Sequence, residues 1–136
     1  MSNVNHGGRI PAPSFQEDDE RLLEFSFKYL DTDPEHFGLP RCTVEFLRSL
    51  IETIQAFSHW KVSDFTDQNN KDHRHITNFE ITHHPEGFST LDEDQLTYRD
   101  AWQFGLTKGQ RWRVHGLLID NVFYIVWLDP DHLLCD

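Results

Sequence analysis

Four side chains near the C-terminal end of the sequence are of types that move protons, bind anions or donate hydrogen bonds: Arg113, His115, Tyr124 and His132. An imidazole, with an ordinary pKa of about 6.5, gives or takes a proton at neutral pH. A guanidinium grips a phosphate in fork geometry, and a phenol donates a hydrogen bond or stacks on a base. Gln103, Lys61, His75 and Asp129 are the side chains expected to hold a substrate around them. A second group, His73-x-His75 and His83-His84 with Asp72, Glu80 and Asp129 as oxygen donors, contains ligand types that zinc, nickel or iron prefer. His-x-His on an extended segment puts both rings on one side, but no local motif supplies a third and fourth ligand. No metal is therefore assigned. These histidines read first as surface or turn residues, with a metal site, or His75 packing beside a sheet face, as the alternatives. Asp92-Glu93-Asp94 lacks the glycine turn of a calcium loop and reads as solvated surface. With no phosphate-binding glycine loop and no nucleophile elbow, no cofactor is expected.

The chemistry-bearing residues must be positioned by a few elements. Trp102 to Thr107, Arg111 to Ile119 and Val122 to Asp129 are β-rich runs, separated by Lys108-Gly109-Gln110 and by Asp120-Asn121. They predict a three-stranded antiparallel meander. A two-residue type I′ turn at Asp120-Asn121 would place Ile119 opposite Val122, Leu117 opposite Tyr124, His115 opposite Val126 and Arg113 opposite Leu128. The other face then pairs Leu118 with Phe123, Gly116 with Ile125 and Val114 with Trp127, all apolar. Trp102, Phe104 and Leu106 join that apolar face, and Gln103, Gly105 and Thr107 join Arg113, His115 and Tyr124 on an open one. Asp129 and His132 lie just past the third strand, at the rim of the open face. Polar residues are also what an ordinary solvated sheet face carries, so the catalytic and the plain reading both stand.

Upstream, Leu23 to Leu30 alternates, with Leu23, Phe25, Phe27 and Tyr29 on one side, and predicts a first strand. Asp31 to Pro40 is a loop. Thr43 offers a helix cap, after which Val44, Leu47, Leu50, Ile51, Ile54 and Phe57 recur at helical spacing. Ser58 is expected to cap a second, short helix through Trp60, Val62 and Phe65. Asp72 to Asp100 reads mostly as loop, with a helical turn over Leu91 to Arg99 as an option. The long helix must cover the apolar face of the meander, which predicts an α+β domain. Residues 1–16, with two prolines and a Gly-Gly pair, read as a flexible arm, and residues 17–136 as the single domain.

Composition sets the limits. A chain of 136 residues has room for one core, and 38% hydrophobic and 13% aromatic residues argue for a globular fold despite a mean hydropathy of −0.60. The N-terminus has no signal-peptide apolar region and no stretch is long enough to cross a bilayer, so a cytoplasmic protein with no membrane partner is expected. Twelve basic residues against 23 acidic ones give a net charge of −11, which disfavours general nucleic-acid binding, DNA above all. Cys42 and Cys135 have no CxxC spacing and read as reduced and structural, as the four tryptophans read as core or core edge. The edges Leu23 to Leu30 and Trp102 to Thr107 are candidate homodimer contacts.

The order of strand, helices and antiparallel meander, with Arg113-Val-His-Gly116 followed by Val122-Phe-Tyr-Ile-Val-Trp-Leu-Asp-Pro-Asp-His132, resembles the small toxin fold of the RelE/ParE superfamily. The resemblance is architectural and covers residues 23–30, 43–65 and 102–134. The same FYIVWLDPDH run is also similar to that of bacterial proteins of no known activity. Membership would imply a toxin-like component of a bacterial toxin–antitoxin or defence system, with an antitoxin as partner. In the RNA-cleaving branch the RNA 2′-hydroxyl attacks the adjacent phosphate on the ribosome without a metal. The resemblance then implies His115 and His132 as proton-transfer groups, Arg113 on the phosphate, Tyr124 donating or stacking and Lys61 as a second cation. Ribosome-directed toxins are basic, and this chain is acidic. The branch that inhibits another protein carries no such electrostatic demand. The competing expectations are a non-catalytic module whose acidic surface binds a basic protein, and a metal-dependent hydrolase using the histidines between 73 and 84.

Overall fold

The computed structural model describes residues 19–33, 39–67, 74–77, 88, 101–106 and 109–131. The 1–16 arm, the Asp92–Asp94 run, the optional helical turn, Asp72, His73, Glu80, His83, His84, His132 and Cys135 lie outside the described residues. The order of elements is β1 (Glu24–Ser26), a single 3-10 turn (Leu39–Arg41), α1 (Val44–Phe57), α2 (Val62–Phe65), β2 (His75–Ile76), β3 (Ala101–Leu106), β4 (Gly109–Ile119) and β5 (Val122–Asp129). The fold is α+β: the strands form one sheet in the order β1-β5-β4-β3-β2, parallel between β1 and β5 and antiparallel elsewhere. The expected meander is its centre, flanked by two short strands. No helix among the described residues is long and apolar enough to cross a membrane.

Thr43 caps α1 as its sequence predicts, its Oγ1 accepting the Phe46 N–H at 3.1 Å. The face that α1 buries is Phe46, Ser49, Leu50, Thr53 and Phe57, while Val44 and Ile51 point outward. Helical spacing alone had grouped Val44 and Ile51 with the core. The apolar arc of α1 extends past the stripe that is buried, and the three apolar residues that turn fully inward, Phe46, Leu50 and Phe57, include its two phenylalanines. They meet Trp102, Phe104, Val114, Leu118, Phe123, Ile125 and Leu128 from the sheet in one core, with Val62 and Phe65 of α2. Phe57, Phe65, Phe104 and Phe123 pack edge to face with centroids 5.3–6.0 Å apart. Ser58 ends α1 instead of starting α2, its hydroxyl donating to Ile54 O at 2.7 Å. Lys61 begins α2, and the Asp64 carboxylate accepts its backbone N–H at 3.0 Å.

Three further expectations are corrected. The first strand is three residues long, because Ser26 Oγ accepts the Lys28 N–H and Phe27 O accepts the Leu30 N–H, turning the chain out of the sheet. β3 is not an edge, since β2 pairs with it as His75↔Gln103 and Ile76↔Trp102 inside a segment expected to be loop. At the β4–β5 turn only Asp120 has a positive φ, 55°, so the turn is not type I′, which needs positive φ at both central residues. The register it sets, Ile119↔Val122 to Gly116↔Ile125, is the expected one.

Beyond Gly116 the register shifts by one residue: His115 stands opposite Trp127, Val114 opposite Leu128 and Arg113 opposite Asp129. Val126 is the extra residue of this β-bulge. Without the shift, Asp129 would fall on the face of α1 and its phenylalanines. With it, Leu128 joins that core and Asp129 joins His115 and Arg113.

Cys42 is half-buried against the core. Burial pushes its thiol up to about 11, and the carboxylates of Asp131 and Asp129 add to the rise. At pH 7.5 its thiolate fraction is then on the order of 1 in 3,000, and alkylation needs the thiolate. In native protein, iodoacetamide labelling of Cys42, followed by peptide mass spectrometry, is expected to be negligible at pH 7.5 and to climb steeply above pH 10. Rapid labelling at neutral pH would contradict this environment.

Candidate functional site

Alternation along β3, β4 and β5 places Gln103, Arg113, His115 and Asp129 on the face away from α1. Gln103 stands opposite His115, and Gly105 opposite Arg113. His115 Nε2 donates to Asp129 Oδ2 at 3.0 Å. A histidine held by a carboxylate, with an arginine two pairs along the ladder on the same face, is the arrangement by which a general base is oriented.

This face is not open. His115 and Asp129 are both 0% exposed, and Gln103 and Arg113 are also buried. Phe88, Ala101, Leu117, Val126 and Trp127 form a second core there, with Tyr29, Ile119 and Tyr124 at its margin. Phe88 meets Trp127 edge to face at 4.8 Å, and the His115 ring lies edge-on to Trp127 at 6.5 Å. The segment after β1 seals one side: Asp31 N–H donates to the carbonyl of the bulge residue Val126 at 2.8 Å, and Trp127 Nε1 donates to Asp31 Oδ2 at 3.0 Å. The Arg113 Nη1 donates to Trp112 O at 3.0 Å. A buried imidazole bonded to a buried carboxylate, with a buried guanidinium beside them that donates to a backbone carbonyl, forms a structural polar cluster, and a substrate phosphate reaches none of the three unless the covering residues move.

The remaining candidates are dispersed. Tyr124 is half-buried against Tyr29, with ring centroids 5.1 Å apart. Lys61 sits at the start of α2, on the side of the sheet that α1 covers, ion-paired to Glu20 at 2.8 Å, which raises its pKa. Only the backbone of His75 is described, in register with Gln103. No group of three or more His, Cys, Asp or Glu side chains suited to a metal ion occurs among the described residues.

Three contributors were missed from sequence. Asp31 and Trp127 join the buried network, and Arg74 stacks on Trp60 at 4.7 Å while its Nη1 donates to Asp64 O and Phe65 O at 2.6 and 2.8 Å. Arg74 thereby satisfies carbonyls at the end of α2 and ties it to β2. Nothing local in the sequence marks Asp31 or Arg74. For Trp127, the run Val126-Trp127-Leu128 has no polar residue to fix its register, and that is the signal of a place where the alternation can slip.

The surface differs in character from this interior. Glu20, Glu24, Asp33, Glu45, Glu52, Asp64, Asp67 and Asp120 are exposed. Among the described residues, four of the exposed cations are ion-paired: Arg21 to Asp19, Arg41 to Asp131, Arg48 to Glu52 and Lys61 to Glu20. The Arg21 guanidinium, bonded to Asp19 at 2.6 Å, holds that carboxyl below its usual range. No family model matches the sequence, and no curated protein and no solved structure matches it either.

Proposed function

We propose that this protein works by binding a basic macromolecular partner through its acidic surface, as a toxin-like component of the protein-inhibiting kind, and not by cleaving RNA. The observation that carries this reading is the complete burial of His115, a proton-transfer group of the expected metal-free cleavage, together with its partner Asp129. The net charge of −11, with four exposed cations among the described residues already paired to acids, supports a basic partner and opposes docking on a phosphate backbone. A cytoplasmic site of action and an antitoxin that neutralises the protein belong to the same proposal.

The second reading, endoribonuclease activity, is favoured by the His115–Asp129 hydrogen bond with Arg113 beside it. One experiment separates the two. Untagged protein is expressed in growing bacteria, and growth and messenger RNA integrity are followed in the wild type and the His115→Ala/Arg113→Ala variant. Growth arrest with intact RNA, and a basic protein that co-purifies at low salt and is lost at high salt, is the expected result. RNA cleavage that disappears in the folded double variant would overturn the proposal in favour of the nuclease. Stoichiometric metal in untagged protein would instead point to a hydrolase built on the histidines between 73 and 84.

A further inference from the structure

β1 lies at one end of the strand order and pairs with β5 on its inner side, with Glu24 N–H donating to Asn121 O at 2.9 Å. In a parallel ladder, a residue that turns its backbone groups to the neighbouring strand is followed by one whose groups point the other way. Leu23 obeys this alternation and donates outward to Trp60 O at 2.9 Å, which closes the edge as far as Leu23. Phe25 therefore directs both its backbone groups to the outside, and the trans peptide after Ser26 directs the Phe27 N–H there too, while the Phe27 carbonyl turns to Leu30. Phe27 is 53% exposed and Leu22 55%, so two large apolar side chains flank this open stretch. An edge of this kind is a template for another strand.

We infer that residues 24–28 pair with the same segment of a second copy of this chain, antiparallel about a two-fold axis at Ser26. Three features fix that register. The outward carbonyl of Phe25 comes opposite the Phe27 N–H of the second copy, a hydrogen bond formed twice by symmetry. The exposed Glu24 comes opposite Lys28 of the second copy, also twice. Finally, the exposed Phe27 meets Phe25, whose ring already packs on Phe57, Phe104 and Phe123. The occupant is a second copy and not an unrelated strand because opposite charges stand at equal distances either side of Ser26. That is the self-complementarity an isologous contact requires. The open stretch is short, so the dimer is a weak one, with a dissociation constant on the order of 10 μM.

Sedimentation velocity over a concentration series tests this with two charge reversals. Glu24→Lys and Lys28→Glu each put like charges opposite one another at both symmetric positions, and each is expected to weaken self-association about tenfold or more. Mixed in equal amounts, the two variants restore both attractive pairs and are expected to form a heterodimer as tight as the wild-type dimer. Phe27→Lys, which removes the apolar contact, is expected to be monomeric. Both charged residues are exposed, and circular dichroism checks that each variant folds. A wild type that stays monomeric up to about ten times the expected dissociation constant would overturn the inference. So would single variants that associate like the wild type, or a mixture that fails to reassociate.

Discussion

Replacing Gly116 with alanine is expected to lower the free energy of unfolding by about 3 kcal/mol or more, among the largest effects of a single methyl group anywhere in the molecule. A Cβ at Gly116 would lie 2.1 Å from the backbone oxygen of Tyr124 and 2.6 Å from Cε1 of Phe123. The first overlap is with backbone, so no change of rotamer relieves it. The second is with a ring that is itself 0% exposed and packed against Phe25, Phe65 and Phe104. Gly116 adjoins the bulge, and relief would require β4 and β5 to separate where the register changes. Urea unfolding should therefore show a lower midpoint at an unchanged slope. A loss under about 1 kcal/mol would mean that the bulge relaxes freely, and would remove the argument that it is a fixed feature of the sheet.

The second large effect is expected at Asp129. Asp129→Ala leaves His115 buried without its carboxylate and removes the charge opposite the buried Arg113, and breaking such a buried pair costs about 3–5 kcal/mol. Asp129→Asn keeps the shape and one acceptor oxygen and should cost less. The same measurement bears on function. A network that is structural predicts that loss of stability and loss of growth arrest go together in Asp129 variants, restored in part by lowering the temperature. A catalytic role predicts a folded, stable and inert Asp129→Asn protein. Stability of Asp129→Ala within about 1 kcal/mol of the wild type would show that the second core holds this face without the carboxylate.

What could be read from sequence was whatever local pattern controls. The Thr43 cap and the periodicity after it located α1, and Asp120-Asn121 set the hairpin register out to Gly116. What could not be read depended on residues distant in the chain. Val126, Trp127 and Leu128 are all apolar, so either register buries two of them. Asp31 and Phe88 decide between the registers from outside the hairpin, by bonding to Trp127 and Val126 and by packing on Trp127. The same two residues turn a face expected to be open into an interior. Of the predicted site residues, Gln103, Arg113, His115 and Asp129 share one face and Lys61 does not, and the loss of solvent access on that face was invisible in the sequence. Phe27 shows the converse: alternation assigned it to the buried side, and a two-residue turn closed by Ser26 and Leu30 put it in water.

The strand order has a temporal consequence. β3, β4 and β5 are linked by short connections and make their pairings within about thirty residues of one another, whereas β1 joins β5 across nearly one hundred. Closing that long loop costs entropy that only the finished meander can offset. The C-terminal hairpins are therefore the natural folding nucleus, and α1, although made earlier on the ribosome, has no surface to bury Phe46, Leu50 and Phe57 against until β5 has emerged. During that interval the helix presents its apolar face to the cell, and the N-terminal half of the chain depends on chaperones or on speed.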